Sequence, residues 1–174
     1  MSVFRTLSVL LLALTVSACD STDGPSGGTN ACVSGSLTAT ADGAAFAAEC
    51  VTFSRENGVL SLGALTNADG GDGATQRQIT LVVQGASAGT VSAPTGFLGT
   101  YTDGELSGSQ FSGTSTTGLS GTLTLETLTD RRAAGTFSFS GSEFELSATA
   151  GGQGSGTPTG RTVAVTGGTF DIRL

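Results

Sequence analysis

Histidine occurs nowhere in the 174 residues of this chain, which removes the commonest general base, the serine and cysteine triads, and the usual ligands of zinc and copper. Any acid–base chemistry would have to run on carboxylates alone. Lysine and tryptophan are missing as well, and there is one tyrosine. The seven basic residues are all arginine, and six lie beyond position 18, at Arg55, Arg77, Arg131, Arg132, Arg161 and Arg173, scattered rather than gathered into a stripe. Against fourteen Asp and Glu they leave a net charge of −8 on that part of the chain. Such a surface repels phosphates, so nucleic acid is excluded as a partner. No apolar run reaches the roughly twenty residues that a membrane-spanning helix needs, and helix-length apolar periodicity is nearly absent. What abounds is glycine, with 28 residues, joined by Ser and Thr, the composition of short strands and tight turns. Disorder is the competing reading of such a composition. The repeated alternation of Val, Ile, Leu and Phe with small polar residues supplies a face to bury and favours an ordered domain.

The start of the chain reads as an export signal. Arg5 precedes an apolar run over residues 7–16, which Val16-Ser17-Ala18-Cys19 closes. A run of about ten residues is too short to cross a bilayer and sits where a leader sits. The tetrapeptide resembles the lipobox of lipid-modified exported proteins, in which an aliphatic residue, a small residue and Gly or Ala precede the modified cysteine. Cys19 is therefore the expected lipidation site and first mature residue, with 1–18 as signal peptide. Residues 19–30 make the anchor and a tether, since 20–30 have nothing to bury; as a flexible coil this stretch spans about 18 Å. More than one acyl chain at such a cysteine gives stable anchoring. The expected location is the cell envelope, at the outer membrane on its periplasmic or surface face. Asp20, next to the anchor, resembles the inner-membrane retention signal of enteric bacteria, while acidic residues at this place also accompany surface display.

Residues 31–174 remain as one all-β domain of near-modal size. With Cys19 taken by lipid, Cys32 and Cys50 form a pair in an oxidising compartment, and a disulfide between them is expected. A metal or redox site is the alternative, but without histidine two cysteines complete a tetrahedral zinc shell only if carboxylates join them.

Turn signals recur at about eight to twelve residues, the spacing of an antiparallel β-sandwich or flattened barrel. Asp42-Gly43 and Asn57-Gly58 suit two-residue hairpins and predict a meander of strands 36–41, 44–53 and 59–65. Residues 78–84, dense in Ile, Leu and Val, predict a central strand. From 85 to 118 the pattern is faint, with short strands at 89–93 and 97–101 around Pro94, which cannot donate to a ladder and belongs at an edge or in a turn. Further strands at 121–128, 134–140, 143–148, 162–166 and 169–174 alternate apolar and polar residues, so that one side packs and the other meets water. Asp130-Arg131, Gly141-Ser142 and Gly167-Gly168 are placed for hairpins. About ten short strands and no helix are expected.

Three segments carry a family resemblance. Gly135-Thr136-Phe137-Ser138-Phe139-Ser140, followed by Val163-Ala164-Val165-Thr166-Gly167-Gly168-Thr169-Phe170-Asp171-Ile172-Arg173-Leu174, resembles the C-terminal signature of a group of uncharacterised lipoproteins of Bacteroidetes and related bacteria. Ala39-Thr40-Ala41-Asp42-Gly43-Ala44-Ala45-Phe46 is similar to that group's N-terminal hairpin. The resemblance implies an exported all-β lipoprotein domain. Its motifs are turn and core residues, so it implies no activity.

Candidate sites are few. Asn67, Asp69 and Asp72 sit in a Gly-flexed loop that would suit calcium, but the oxygens fall at its first, third and sixth positions and no bidentate Glu follows; a metal-free hairpin loop is the simpler reading, and no cofactor is otherwise expected. Glu143 and Glu145 share a strand face, where solvated charges near Arg161 are favoured over a glycosidase-like pair, which needs a cleft and a raised pKa. Asp103 and Glu105 flank Gly104 in what reads as a polar turn. A terminal strand alternating Phe170, Ile172 and Leu174 suggests an outer-membrane barrel, but the strands read as too short for one. The expectation is a non-enzymatic, lipid-anchored envelope module that binds an unknown partner or serves structure. The alternative is a carbohydrate or small-ligand binder using residues 85–118, where Phe97, Tyr101 and Phe111 would offer stacking surfaces.

Overall fold

A two-residue β-hairpin of type I′ requires positive φ at both central residues, and the chain meets this twice, at Asp42 (48°) with Gly43 (79°) and at Asn57 (51°) with Gly58 (78°). The computed structural model describes residues 32–66, 75–107, 110–149 and 155–173. Among them are ten strands and no helix: β1 (Ser34–Ala41), β2 (Ala44–Ala47), β3 (Cys50–Glu56), β4 (Val59–Leu65), β5 (Thr75–Gln84), β6 (Gly89–Ser92), β7 (Phe97–Ser107), β8 (Gln110–Leu128), β9 (Arg132–Thr149) and β10 (Ser155–Arg173). They form one antiparallel sheet in the order β2-β1-β10-β9-β8-β7-β5-β4-β3, with β6 paired to β8. The sheet curls into a half-barrel, in keeping with the sandwich or flattened barrel that the turn spacing predicts.

The curl is imposed by chain connectivity. β2 and β3 stand at opposite ends of the strand order, yet only Ala48 and Glu49 separate them, a reach of about 10 Å. Ala48 N–H donates to the Leu37 carbonyl of β1 (2.9 Å), and Glu49 N–H to the Leu65 carbonyl of β4 (2.8 Å). Neighbouring residues thus bond to opposite margins of the sheet. The Val33 N–H to Val51 carbonyl bond (2.8 Å) and the Cys32–Cys50 disulfide, with Cα atoms 5.2 Å apart, stitch the same seam.

Inside the curl, alternate residues of nearly every strand are buried, among them Leu60, Leu62 and Ala64 on β4, Ile79, Leu81 and Val83 on β5, and Val163 and Val165 on β10. Phe137 lies 6.4 Å from Phe139 and 6.3 Å from Phe170, centroid to centroid. Glycine makes room for these rings: a Cβ on Gly99 would stand 2.5 Å from Phe139, and one on Gly168 the same distance from Phe137. The outward face carries hydroxyl pairs, Thr38 with Thr169 (3.0 Å), Thr90 with Thr124 (2.9 Å) and Ser120 with Ser140 (3.0 Å).

Several expectations are corrected. The strand expected over 44–53 is broken at Ala48-Glu49, and its halves join opposite margins, so β1, β2 and β3 do not form a meander. Gly141-Ser142 lies within β9, and Gly167-Gly168 lies within β10. At the first, the Thr117 carbonyl approaches too closely for a side chain; at the second, Gly167 adopts φ 59° in a bulge that lets the strand run on. These glycines serve close approach and bulging rather than reversal. The strands are consequently not all short: β8, β9 and β10 have 19, 18 and 19 residues. Length therefore no longer argues against a lipid-spanning barrel, whereas the hydroxyls facing outward do, being the reverse of a lipid-facing apolar band.

Replacing Cys32 and Cys50 by serine, or reducing the bridge, is expected to lower unfolding free energy by about 3 kcal/mol for a loop of this length. Denaturant melts with and without reductant check this; coincident curves would remove the bridge from the stabilising role.

Candidate functional site

Along the inner face the chemistry changes abruptly. Register aligns Leu81 with Gly99, then Ile79 with Tyr101, Thr116 and Glu143, and next Arg77 with Asp103, Thr114, Glu145 and Thr157. Past the Ile79 row, apolar side chains give way to hydroxyls and charges. The polar rows sit at the end of the half-barrel beyond the β1–β2 hairpin, here called the far end.

Two arginines grip that hairpin. Arg77, on β5, donates through Nη1 to the Ala45 carbonyl of β2 (2.9 Å), and its guanidinium lies 5.8 Å from the Phe46 ring centroid. Arg161, on β10, donates through Nη2 to Asp42 Oδ2 (2.8 Å) and through Nη1 to Glu143 Oε1 (3.3 Å) and Oε2 (3.4 Å). Thr159 adds a hydroxyl donation to Glu143 Oε2 (2.9 Å). A register shift between Pro158 and Thr162, with Gly160 at φ 78°, brings both Thr159 and Arg161 onto this carboxylate. Glu143 is 4% exposed. A buried carboxylate needs such partners, so the expectation of a solvated Glu143 is overturned, while its neighbour Glu145 is exposed. Asp103 and Glu105 lie inside β7 rather than in a turn.

Tyr101 is 5% exposed, and its hydroxyl donates to Asp103 Oδ2 (3.0 Å). Burial, then the charge of Asp103 and the bond to it, push the phenol up to about 12, against a smaller opposing effect of Arg77. Phe97 is 1% exposed and belongs to the core. Neither ring presents a face to solvent, which corrects the stacking surface expected of Phe97 and Tyr101. For Phe111 only the strand placement in β8, opposite Leu106 and Ala148, is described. Cys19, Asn67, Asp69 and Asp72 lie outside the described residues. Among the described residues no cluster of three or more Cys, Asp or Glu is arranged to hold a metal ion.

At the opposite end are two shallow depressions. One, of about 320 Å³, is lined by Phe53, Ser54, Arg55, Glu56, Thr129 and Asp130; the other, of about 310 Å³, by Ser34, Gly35, Ser36, Asp171 and Arg173. Arg55 and Asp130 approach to 3.6 Å across the first. Beside the second, Arg132 makes two bonds of 2.8 Å to Asp171, holding that carboxyl below the usual carboxylate range. Sequence reasoning passed over Arg77, although a charge two residues before Ile79, in the inward register of Ile79, Leu81 and Val83, was a signal that a partner waits inside. Comparison with protein-family models, with curated proteins and with solved structures finds no match.

Tyr101 is the chain's one tyrosine and there is no tryptophan, so phenolate absorbance reports this residue alone. Its midpoint is expected near 12, and Asp103→Asn is expected to lower it. Because the folded phenol holds its proton more tightly, its stabilising contribution is full below about pH 10, the ordinary tyrosine value, and is lost as pH rises through about 12. A midpoint at the ordinary value would contradict the buried bond. Separately, Arg161→Met leaves Glu143 with Thr159 alone and is expected to cost about 1–3 kcal/mol, part of which Glu143→Gln in the same chain recovers. Urea melts of the two variants test the pairing.

Proposed function

We propose that the chain is a lipid-anchored β-domain of the cell envelope that acts as a non-catalytic binding or structural module, without nucleic acid or cofactor. Val16-Ser17-Ala18-Cys19 carries this reading, placed as it is behind Arg5 and an apolar run and ahead of a polar tether. The membrane is engaged through acyl chains on Cys19, at the outer membrane. The family resemblance of residues 135–140 and 163–174 supports the same address.

Engagement of the inner ionisable groups supports the non-catalytic part. Glu143 is bonded to Arg161 and Thr159, and Tyr101 to Asp103, so the groups best placed for acid–base work are occupied in holding strands together. The carbohydrate-binding alternative draws no support from Phe97 and Tyr101, whose rings are buried. A glycan or protein partner would meet instead the hydroxyl-rich outer face or the polar far end.

Growth with an alkyne fatty acid, followed by dye coupling, is expected to label the wild-type chain, which partitions into detergent. Cys19→Ala is expected to abolish the label and leave the leader uncut. An unlabelled wild-type chain in the aqueous phase would overturn the reading.

A further inference from the structure

The two ends of the half-barrel differ in charge. At the far end, among the described residues, Arg77 and Arg161 stand with five carboxylates: Asp42, Asp103, Glu105, Glu143 and Glu145. At the other end stand four of the chain's arginines, Arg55, Arg131, Arg132 and Arg173, with Glu56, Glu126, Asp130 and Asp171. Among the described residues one end therefore carries three negative charges net and the other none. Within the neutral end, Asp171 is held by both bonds of Arg132, and Asp130 lies 3.6 Å from Arg55. Arg131 and Arg173 are exposed, and among the described residues neither enters an ion pair; the same holds of Glu56 and Glu126, so the end as a whole stays neutral and the bias lies in the contrast with the acidic end.

The same end is where the chain enters the sheet. Ser34, the first residue of β1, pairs with Arg173, and Arg173 pairs with Arg132, whose neighbour is Arg131. These arginines thus surround the root of the segment that leads back to Cys19. The length of chain from Cys19 to Cys32 would, as a random coil, span about 20 Å. From Arg173 to Ser155, β10 covers roughly 60 Å of extended chain, which its bulges and the tilt of strands in a curled sheet shorten to about 40 Å of height. The segment is too short, on average, to carry the acidic end to the bilayer. An anionic surface adds a second bias, attracting exposed arginines within about a Debye length and repelling the carboxylate-rich end.

Resting on the reading of Cys19 as a lipid anchor, we infer that the domain stands on the bilayer by its arginine end. Arg131 and Arg173 meet the anionic headgroups of the membrane that holds the anchor, and the Glu143 end faces away. The arginine end is thus a membrane-docking surface.

The test uses the acylated full-length lipoprotein reconstituted into phosphatidylcholine vesicles with or without phosphatidylglycerol. A clickable residue carries a donor dye either at Ser36, near the root, or at Thr157, at the far end; both positions are exposed. Energy transfer to a headgroup-labelled lipid is expected to be about threefold greater from Ser36 than from Thr157 on anionic vesicles. Raised salt, or Arg131→Glu with Arg173→Glu, is expected to cut that ratio by about half. Salt needs no variant, so a folding defect in the double variant does not blunt the result. Protein that floats with the vesicles but transfers equally from both sites would overturn the docking alone, as would a ratio indifferent to both salt and charge reversal. Protein that fails to float would overturn the anchor reading and the docking with it.

Discussion

Two residues, Ala48 and Glu49, constrain the whole molecule. They must carry the chain from one margin of a nine-strand path to the other, and their amides donate to β1 and β4 in succession. An open twisted sheet of this size would leave two long edges ready to pair with other chains. Closing it across so short a link turns those edges toward each other and gives the inward side chains of β4, β5, β9 and β10 a common interior. The Cys32–Cys50 bridge, the Val33–Val51 hydrogen bond and the Arg77 contact with Ala45 all act on the same seam. The fold is therefore secured where its connectivity is most demanding.

Inside, the half-barrel is divided along its axis. The apolar part is packed around phenylalanine rings that need glycine opposite them, and it ends at the row of Ile79 and Tyr101. Beyond that row the strands continue with hydroxyls and carboxylates. Arg161 and Arg77 make that transition tolerable: Arg161 satisfies the buried Glu143 carboxylate, and both arginines hold the β1–β2 hairpin. A charge removed there leaves its partner uncompensated, which is why the polar rows serve as structure.

Much of the fold is legible in the chain because its signals are local. Asp42-Gly43 and Asn57-Gly58 announce hairpins through the φ values they accept, and Thr-Leu-Thr-Leu and Thr-Phe-Ser-Phe alternations announce a sheet with one wet face. Other signals mislead because glycine has two uses. Gly141 and Gly167-Gly168 read as reversals but are places where another chain segment or a ring lies close. Phe97 and Tyr101 illustrate the same limit from the other side, since aromatic side chains in a faint stretch look like a binding platform until their rings are seen packed inward.

Sequence by itself determined the strand-and-turn character, the cysteine pair, the exclusion of histidine chemistry and the net negative charge, because each follows from residue type or from spacing of a few residues. It also sets the expectation of an anchor at Cys19, a motif read linearly. Only the tertiary structure decided that Ala48-Glu49 splits a strand between two margins, that Glu143 is buried against Arg161, and that four arginines gather at one end. Those arrangements rest on contacts between segments far apart in the chain, as between Asp42 and Arg161, 119 residues apart. Their geometry exists only after the sheet has curled.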